Sequence, residues 1–311
     1  MKKRMVSIII PVFNEEGNIN HLYDRLKKVT TGQDAEFEFV FVNDGSKDAS
    51  AHLLTDLAHQ DSSVKLIDFS RNFGHQLAVT AGLDFCKGDC AVIIDADLQD
   101  PPELITSMLE EWSNGYDVVY AQRSRRKGES VFKRISASVF YRLLHHLTEV
   151  DIPLDTGDFR LIGRNVIDTL KKMPERHRFL RGMISWSGFR QTALEYVRDE
   201  RYSGKTKYPL LRMFRFALTG ITSFSFVPLQ AASYFGFVVS GFSFLYALYI
   251  LYLRIFTDET VQGWTSLIIA VLFLGGIQLI TLGIIGEYIG RISDEVKQRP
   301  AYVIQKKLNI E

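Results

Sequence analysis

Asp95 and Asp97 stand one residue apart where the apolar run Cys90 to Ile94 ends, and Leu98-Gln99-Asp100-Pro101-Pro102 follows. The run reads as a buried strand of a parallel sheet. The two prolines stop it and pre-set the first turn of a helix. Carboxylates at the carboxyl end of a strand sit where open α/β sheets bind ligands. Two oxygen ligands this close suit a hard divalent cation, Mg²⁺ or Mn²⁺, which pairs carboxylates with phosphate oxygens and water. The chemistry implied is metal-dependent work on a nucleotide diphosphate. The same triplet also serves elsewhere as a polar turn with a helix cap, and a short motif alone does not separate the two.

The surrounding pattern explains how such a pair would be held. Val6 to Val12 reads as a first, central strand, ended by Phe13-Asn14-Glu15-Glu16-Gly17 and a helix over Ile19 to Lys28. Phe37 to Val42 is a second strand closed by Asn43-Asp44-Gly45-Ser46, and Asp48 can cap a helix over Ala49 to His59. Val64 to Phe69 is a third, closed by Ser70-Arg71-Asn72-Phe73-Gly74. Helices over Gln76–Cys86 and Pro102–Trp112 and a fifth strand over Asp117–Ala121 continue the alternation. Such alternation predicts an α/β fold, a mostly parallel sheet with helices on both faces. Asn14, Glu15, Asp44, Arg71, Asp95 and Asp97 would then converge on one edge as a nucleotide-binding set. No Gly-x-Gly-x-x-Gly follows the first strand and no Gly-x-x-x-x-Gly-Lys-Ser/Thr occurs, which disfavours a dinucleotide oxidoreductase and a P-loop NTPase.

Three blocks, Ser7-Ile-Ile-Ile-Pro-Val-Phe-Asn-Glu-Glu16, Asn43-Asp-Gly-Ser46 and Asp95-Ala-Asp-Leu-Gln99, resemble the family-2 inverting glycosyltransferases of GT-A (Rossmann-like) fold. The resemblance implies that Pro11, Phe13, Glu15 and Asp44 hold the nucleoside. Asp95 would lie near the ribose and diphosphate, and Asp97 with Gln99 would bind the bridging metal. It also places Asp158, in Gly157-Asp158-Phe159-Arg160, at a position proposed as a base. From the residues alone Asp158 sits in a glycine turn before an apolar strand, where it could also orient an acceptor, hold a basic residue or merely form the turn.

Three basic clusters can meet phosphate. Gln122-Arg123-Ser124-Arg125-Arg126-Lys127-Gly128 reads as a loop after the fifth strand, and Arg176 to Gly182 is a second cluster. Arg201-Tyr202-Ser203-Gly204-Lys205-Thr206-Lys207-Tyr208 is the third. It resembles a segment of dolichol-phosphate-mannose-synthase-like enzymes, with Thr206 in place of a serine. Arg123, Arg126, Arg201, Lys205 and Lys207 are the phosphate candidates. The alternative for each cluster is a solvated charge run.

Composition changes sharply beyond Phe226. Leu229 to Leu253 and Trp264 to Gly286 carry no formal charge, and each exceeds the ~20 residues that cross a hydrocarbon core. Val131 to Leu147 and Pro209 to Phe226 have the spacing of helices that lie on a bilayer surface. Cations flanking the paired spans place both termini in the cytoplasm. Gly286 and Gly290, four apart, could form a helix-packing face, so a homo-oligomer is open. The organisation expected is an α/β domain over 1–208, an interface helix over 209–228, a two-helix hairpin over 229–290 and a tail over 291–311 that could return over the α/β domain.

Whole-chain numbers exclude other classes. Lys and Arg total 37 against 36 Asp and Glu, a net charge of +1, so no nucleic-acid footprint shows. The two cysteines, Cys86 and Cys90, lack partners for a zinc site and fit a reducing compartment. The basic start is followed by an apolar run too short for a cleaved signal, so none is expected. The whole pattern resembles bacterial polyprenyl-phosphate glycosyltransferases of the undecaprenyl-phosphate glucosyltransferase type. That resemblance implies transfer from a UDP-sugar, first of all UDP-glucose, to undecaprenyl phosphate at the bacterial inner membrane. The rival expectations are direct transfer to a polysaccharide or protein, and a non-catalytic scaffold that binds sugar nucleotide.

Overall fold

The computed structural model describes residues 3–125, 153, 156–197, 227–256 and 263–310. Two compact units emerge, Met1–Ala217 with Arg299–Glu311, and Leu218–Gln298. The first is built on one eight-stranded sheet. In chain order its elements are β1 (Arg4–Val12), α1 (Ile19–Thr30), β2 (Ala35–Asn43), α2 (Ser50–Gln60), β3 (Val64–Phe69), α3 (His75–Phe85), β4 (Cys90–Ile93) and α4 (Leu104–Ser113). Then come β5 (Val118–Arg125), β6 (Thr156–Gly163), α5 (Arg164–Lys172), α6 (Leu180–Trp186), β7 (Gln191–Val197) and, from the chain end, β8 (Ile304–Leu308). The strand order is β7-β5-β6-β4-β1-β2-β3-β8.

β1 to β4 run parallel with β1 in the middle, so their carboxyl ends share one edge. Their sequences are nearly continuous apolar runs because helices cover both faces. Ile8, Ile9, Ile10, Phe41, Val42 and Val92 are wholly buried. α1 turns Ile19, Leu22 and Leu26 inwards at helical spacing and leaves its charges in water. α3 lies so close to β1 that a Cβ on Gly82 would fall 2.3 Å from Ile9 Cγ2.

Beyond β4 the sheet departs from simple alternation. β6 inserts antiparallel between β4 and β5, and β5 pairs in parallel with β7. Two expectations need correction. The stretch Gln122 to Arg125, expected as a loop, continues β5, with Gln122 opposite Glu195 and Arg123 opposite Tyr196. Asp158, expected in a turn, lies inside β6, because the antiparallel pairing of β6 with β5 extends back to Thr156 opposite Gln122.

The chain end completes the other edge. β8 pairs antiparallel with β3, and the Ser70 N–H donates to the Val303 carbonyl at 3.0 Å. Tyr302 stacks on Phe69 at 5.1 Å between centroids and donates to Asp84 at 2.7 Å. Asn309 Nδ2 donates to the carbonyls of Ala58 and Val64.

The second unit contains α7 (Val227–Phe256) and α8 (Trp264–Val296). Both are long and apolar enough to cross a membrane, over Ala232–Leu253 and Ile269–Val296. Phe237, Phe242, Leu279 and Ile280 are largely exposed, as suits side chains that meet hydrocarbon. The expected interface helices over 131–147 and 209–226 lie outside the described residues.

Candidate active site

The loops after β1 and β2 are laced together before any ligand is considered. The Asn14 N–H donates to Ser46 Oγ at 3.0 Å, the Lys47 N–H donates to Asn14 Oδ1 at 2.7 Å, and the Glu15 N–H donates to Ser50 Oγ at 3.0 Å. Asn14 adopts φ 54°, a left-handed conformation that asparagine tolerates better than most residues. Glu15 accepts from Asn18 Nδ2 at 2.7 Å. Pro11 is buried within β1 opposite Val42, whereas Phe13, Asn14 and Glu15 are half-buried beyond the strand.

Asp44 ties this pair of loops to the next one. It accepts from the Phe73 N–H at 2.6 Å, the Gly74 N–H at 3.0 Å and Asn72 Nδ2 at 2.9 Å. Burial raises its carboxyl above the usual value, and the Phe73 and Gly74 amides offset only part of that. Arg71 stacks its guanidinium 3.9 Å from the centre of the Phe73 ring. Gly45 makes the apposition possible. It has φ +63°, and a Cβ there would lie 2.4 Å from the Arg71 carbonyl carbon. A Gly45→Ala exchange is therefore expected to destabilise the fold by about 2 kcal/mol or more, since the left-handed backbone alone costs about 1–2 kcal/mol. Denaturant unfolding measures it, and a midpoint equal to wild type would show that the two loops can separate freely.

After β4, the Ile94 N–H still reaches Ile9, and the chain then turns sharply with Leu98 at φ 60°. Asp97 Oδ1 accepts from the Gln99 N–H at 3.2 Å, which closes the turn. Asp100 accepts a very short hydrogen bond from the Tyr196 hydroxyl. Asp95 is pushed up to about 6, first by burial and then by the carboxylates of Asp100, Asp158 and Asp97, against the pull of His75.

Asp158 faces this cluster from β6. Its Oδ1 accepts from Arg181 Nε at 2.7 Å, while its Oδ2 lies 3.0 Å from His75 Nε2 and accepts from Gln76 Nε2 at 3.2 Å. Arg181 also donates to the Thr156 carbonyl, and Gln76 accepts from the Leu180 N–H. Burial would raise the Asp158 carboxyl, but Arg181 and His75 outweigh it and hold it well below the ordinary range. His75 also lies 3.7 Å from Asp95 Oδ1. Burial lowers its value, yet Asp95 and Asp158 raise it to about 9, so the ring is an imidazolium at neutral pH.

The structure thus brings Asp95, Asp97 and Asp158 to one place, with Asp44 and Arg71 along the same edge. Arg126, Arg201, Lys205 and Lys207 lie outside the described residues, as does the side chain of Arg123. Sequence reasoning missed His75, Gln76 and Arg181. The only signal was position, since His75 directly follows the cluster that closes β3 and Arg181 belongs to the second basic cluster.

Among the described residues, no group of three His, Cys, Asp or Glu side chains is placed to hold a metal ion. The donor set nevertheless suits one. Asp95, Asp97 and the Gln99 amide offer only hard oxygen ligands, and a dication would offset both the burial and the neighbouring carboxylates that lift Asp95.

Residues 7–171 match the family model described as Glycosyl transferase family 2. The chain is 56% identical over 305 residues to "Uncharacterized glycosyltransferase YkcC" of Bacillus subtilis, covering 98% of this chain and 94% of that protein. It is 43% identical over 301 residues to "Prophage bactoprenol glucosyl transferase homolog" of Escherichia coli, covering 97% of this chain and 98% of the relative. Identity to "Bactoprenol glucosyl transferase" of Shigella phage SfII is also 43% over 301 residues, covering 97% of both chains. The family match begins in β1 and ends in α5, so it spans every strand end that builds the carboxylate edge. The chain belongs to glycosyl transferase family 2.

Proposed function

We propose that this protein is a membrane-anchored inverting glycosyltransferase that moves glucose from UDP-glucose to undecaprenyl phosphate. The observation that carries the reading is 43% identity to bactoprenol glucosyl transferases over nearly the whole chain, apolar C-terminal helices included. A lipid acceptor also gives those helices a purpose, because its phosphate sits at the bilayer interface. In this reading they form a hairpin that leaves the catalytic unit and both termini in the cytosol, with cations on the inner side.

The reaction follows from the placement of charge. Pro11, Phe13, Asn14, Glu15, Asp44 and Arg71 line the nucleotide side of the edge. Asp97, Gln99 and Asp95 would hold Mg²⁺ or Mn²⁺ together with the diphosphate. The ion, when bound, acts as a Lewis acid for the negative charge on the departing UDP. A phosphate oxygen of the acceptor forms the new bond to the anomeric carbon as the bond to UDP breaks on the opposite face, which inverts the configuration. The electron pair leaves with UDP. The acceptor's second pKa is about 6, so at neutral pH it is already largely a dianion and needs little help from a base. Arg123, Arg126, Arg201, Lys205 and Lys207 would balance the acceptor and donor phosphates.

The test is transfer by the purified full-length protein. With radiolabelled UDP-glucose, Mg²⁺ and undecaprenyl phosphate, label is expected in the lipid phase, and it should disappear when either the lipid or the metal is withheld. Label that reaches a polysaccharide or protein without the polyprenyl phosphate would overturn the acceptor. Failure with UDP-glucose but success with UDP-N-acetylglucosamine would overturn the donor.

A further inference from the structure

His75 is the first residue of α3, and the two residues before it are fixed by Asp44 at the end of β2. Its ring therefore projects from a helix start held from the nucleotide side. Nε2 lies 3.0 Å from Asp158 Oδ2 and 3.7 Å from Asp95 Oδ1. Asp158 belongs to β6 and Asp95 follows β4, and these two strands are antiparallel neighbours. One imidazole thus spans the carboxylates of two adjacent strands at the open edge of the sheet.

The hydrogen bonds to Asp158 show what the contact is for. An ionised carboxylate only accepts, so Nε2 must carry the hydrogen it shares with Oδ2. Arg181 occupies Oδ1, and Gln76 shares Oδ2 with the imidazole. To take a proton, Asp158 would have to weaken three hydrogen bonds, all charge-assisted because their acceptor is a carboxylate. That is the geometry of an anchor.

We propose that His75 is a positioning residue that clips Asp158 to Asp95 and so sets the spacing between the two sides of the site, with Asp158 as its anchor and not as the base. The proposal deepens the glycosyltransferase reading and rests on it. The gap between attacking oxygen and anomeric carbon tolerates little error, and a displacement of about 1 Å can cost about 100-fold in rate.

The test compares His75→Ala, Asp158→Asn and the double variant of the full-length protein, using whichever acceptor the wild type glycosylates. In His75→Ala, kcat is expected to fall about 100-fold while KM for the UDP-sugar stays near wild type, and added imidazole should restore part of the rate. The double variant should be no slower than the slower single variant, because residues that act as a unit are not additive. Near-normal kcat in His75→Ala, or losses that multiply in the double variant, would overturn the proposal. A second measurement does not depend on activity. Hydrogen–deuterium exchange at the His75 ring carbon, read by mass spectrometry, should change clearly in Asp158→Asn, and unchanged exchange would overturn the contact. If the wild type transfers no sugar to any acceptor, the functional reading falls and the exchange result alone decides the clip.

Discussion

Asp97→Ala is expected to abolish glycosyl transfer while the protein stays folded. Asp97 sits in a tight turn, where its Oδ1 accepts from the Gln99 N–H. Losing that bond costs about 1 kcal/mol, the usual net value of a hydrogen bond. The functional loss should be far larger. In the proposed mechanism Asp97 holds the ion that meets charge developing on the diphosphate, a contribution of several kcal/mol, or roughly a thousandfold in rate. Asp97→Asn keeps size and shape but removes the charge, so it should fail nearly as badly. Excess Mg²⁺ should not rescue either variant. Thermal unfolding and transfer, measured on the same preparations, check both halves of the expectation. Transfer at the normal rate by Asp97→Ala would dismiss the metal assignment, whatever the acceptor.

The strand ends were legible because burial on both faces leaves a plain mark in sequence. β1 to β4 and α1 to α4 fall within two residues of their expected bounds, since long apolar runs with polar closures have few other solutions. β6 was harder. Its Thr156-Gly157-Asp158 start looks like a turn, and only antiparallel partners distant in sequence make it a strand. β8 was invisible for another reason. Ile304-Gln305-Lys306-Lys307-Leu308 carries lysines because it is an edge strand, and the charge that protects an edge also disguises it as a solvated tail. The site divides along the same line. Asp95 and Asp97 announce themselves by local spacing. The partners of Asp158 do not, because His75 lies 83 positions away and Arg181 lies 23, and only the folded sheet brings them together. Asp44 shows a third case, in which a residue expected to face the nucleoside also holds the Asn72–Gly74 loop in place.

Arg181→Met is expected to destabilise the protein by about 3 kcal/mol, the low end for breaking a buried ion pair. The side chains of Asp158 and Arg181 are only 15% and 19% exposed, so neither charge is well solvated. Methionine fills much of the volume but leaves Asp158 with His75 and Gln76 as its partners among the described residues. The low end applies because that imidazole remains. The deficit should also depend on pH, and the sign is fixed. Burial works to raise the Asp158 carboxyl, but Arg181 and His75 hold it well below its ordinary value. The unfolded chain therefore binds this proton more readily than the folded one. The stabilisation is complete above the ordinary carboxylate value of about 4 and is lost as pH falls towards the folded value. In Arg181→Met the carboxyl rises, so less of that stabilisation is left to lose. The gap between wild type and variant should be full at neutral pH and should narrow on acidification through about pH 4. Denaturant unfolding of both proteins on either side of that pH measures it. A gap that stays constant would mean that Arg181 acts through packing and its bond to the Thr156 carbonyl, and that its charge contributes little to holding Asp158.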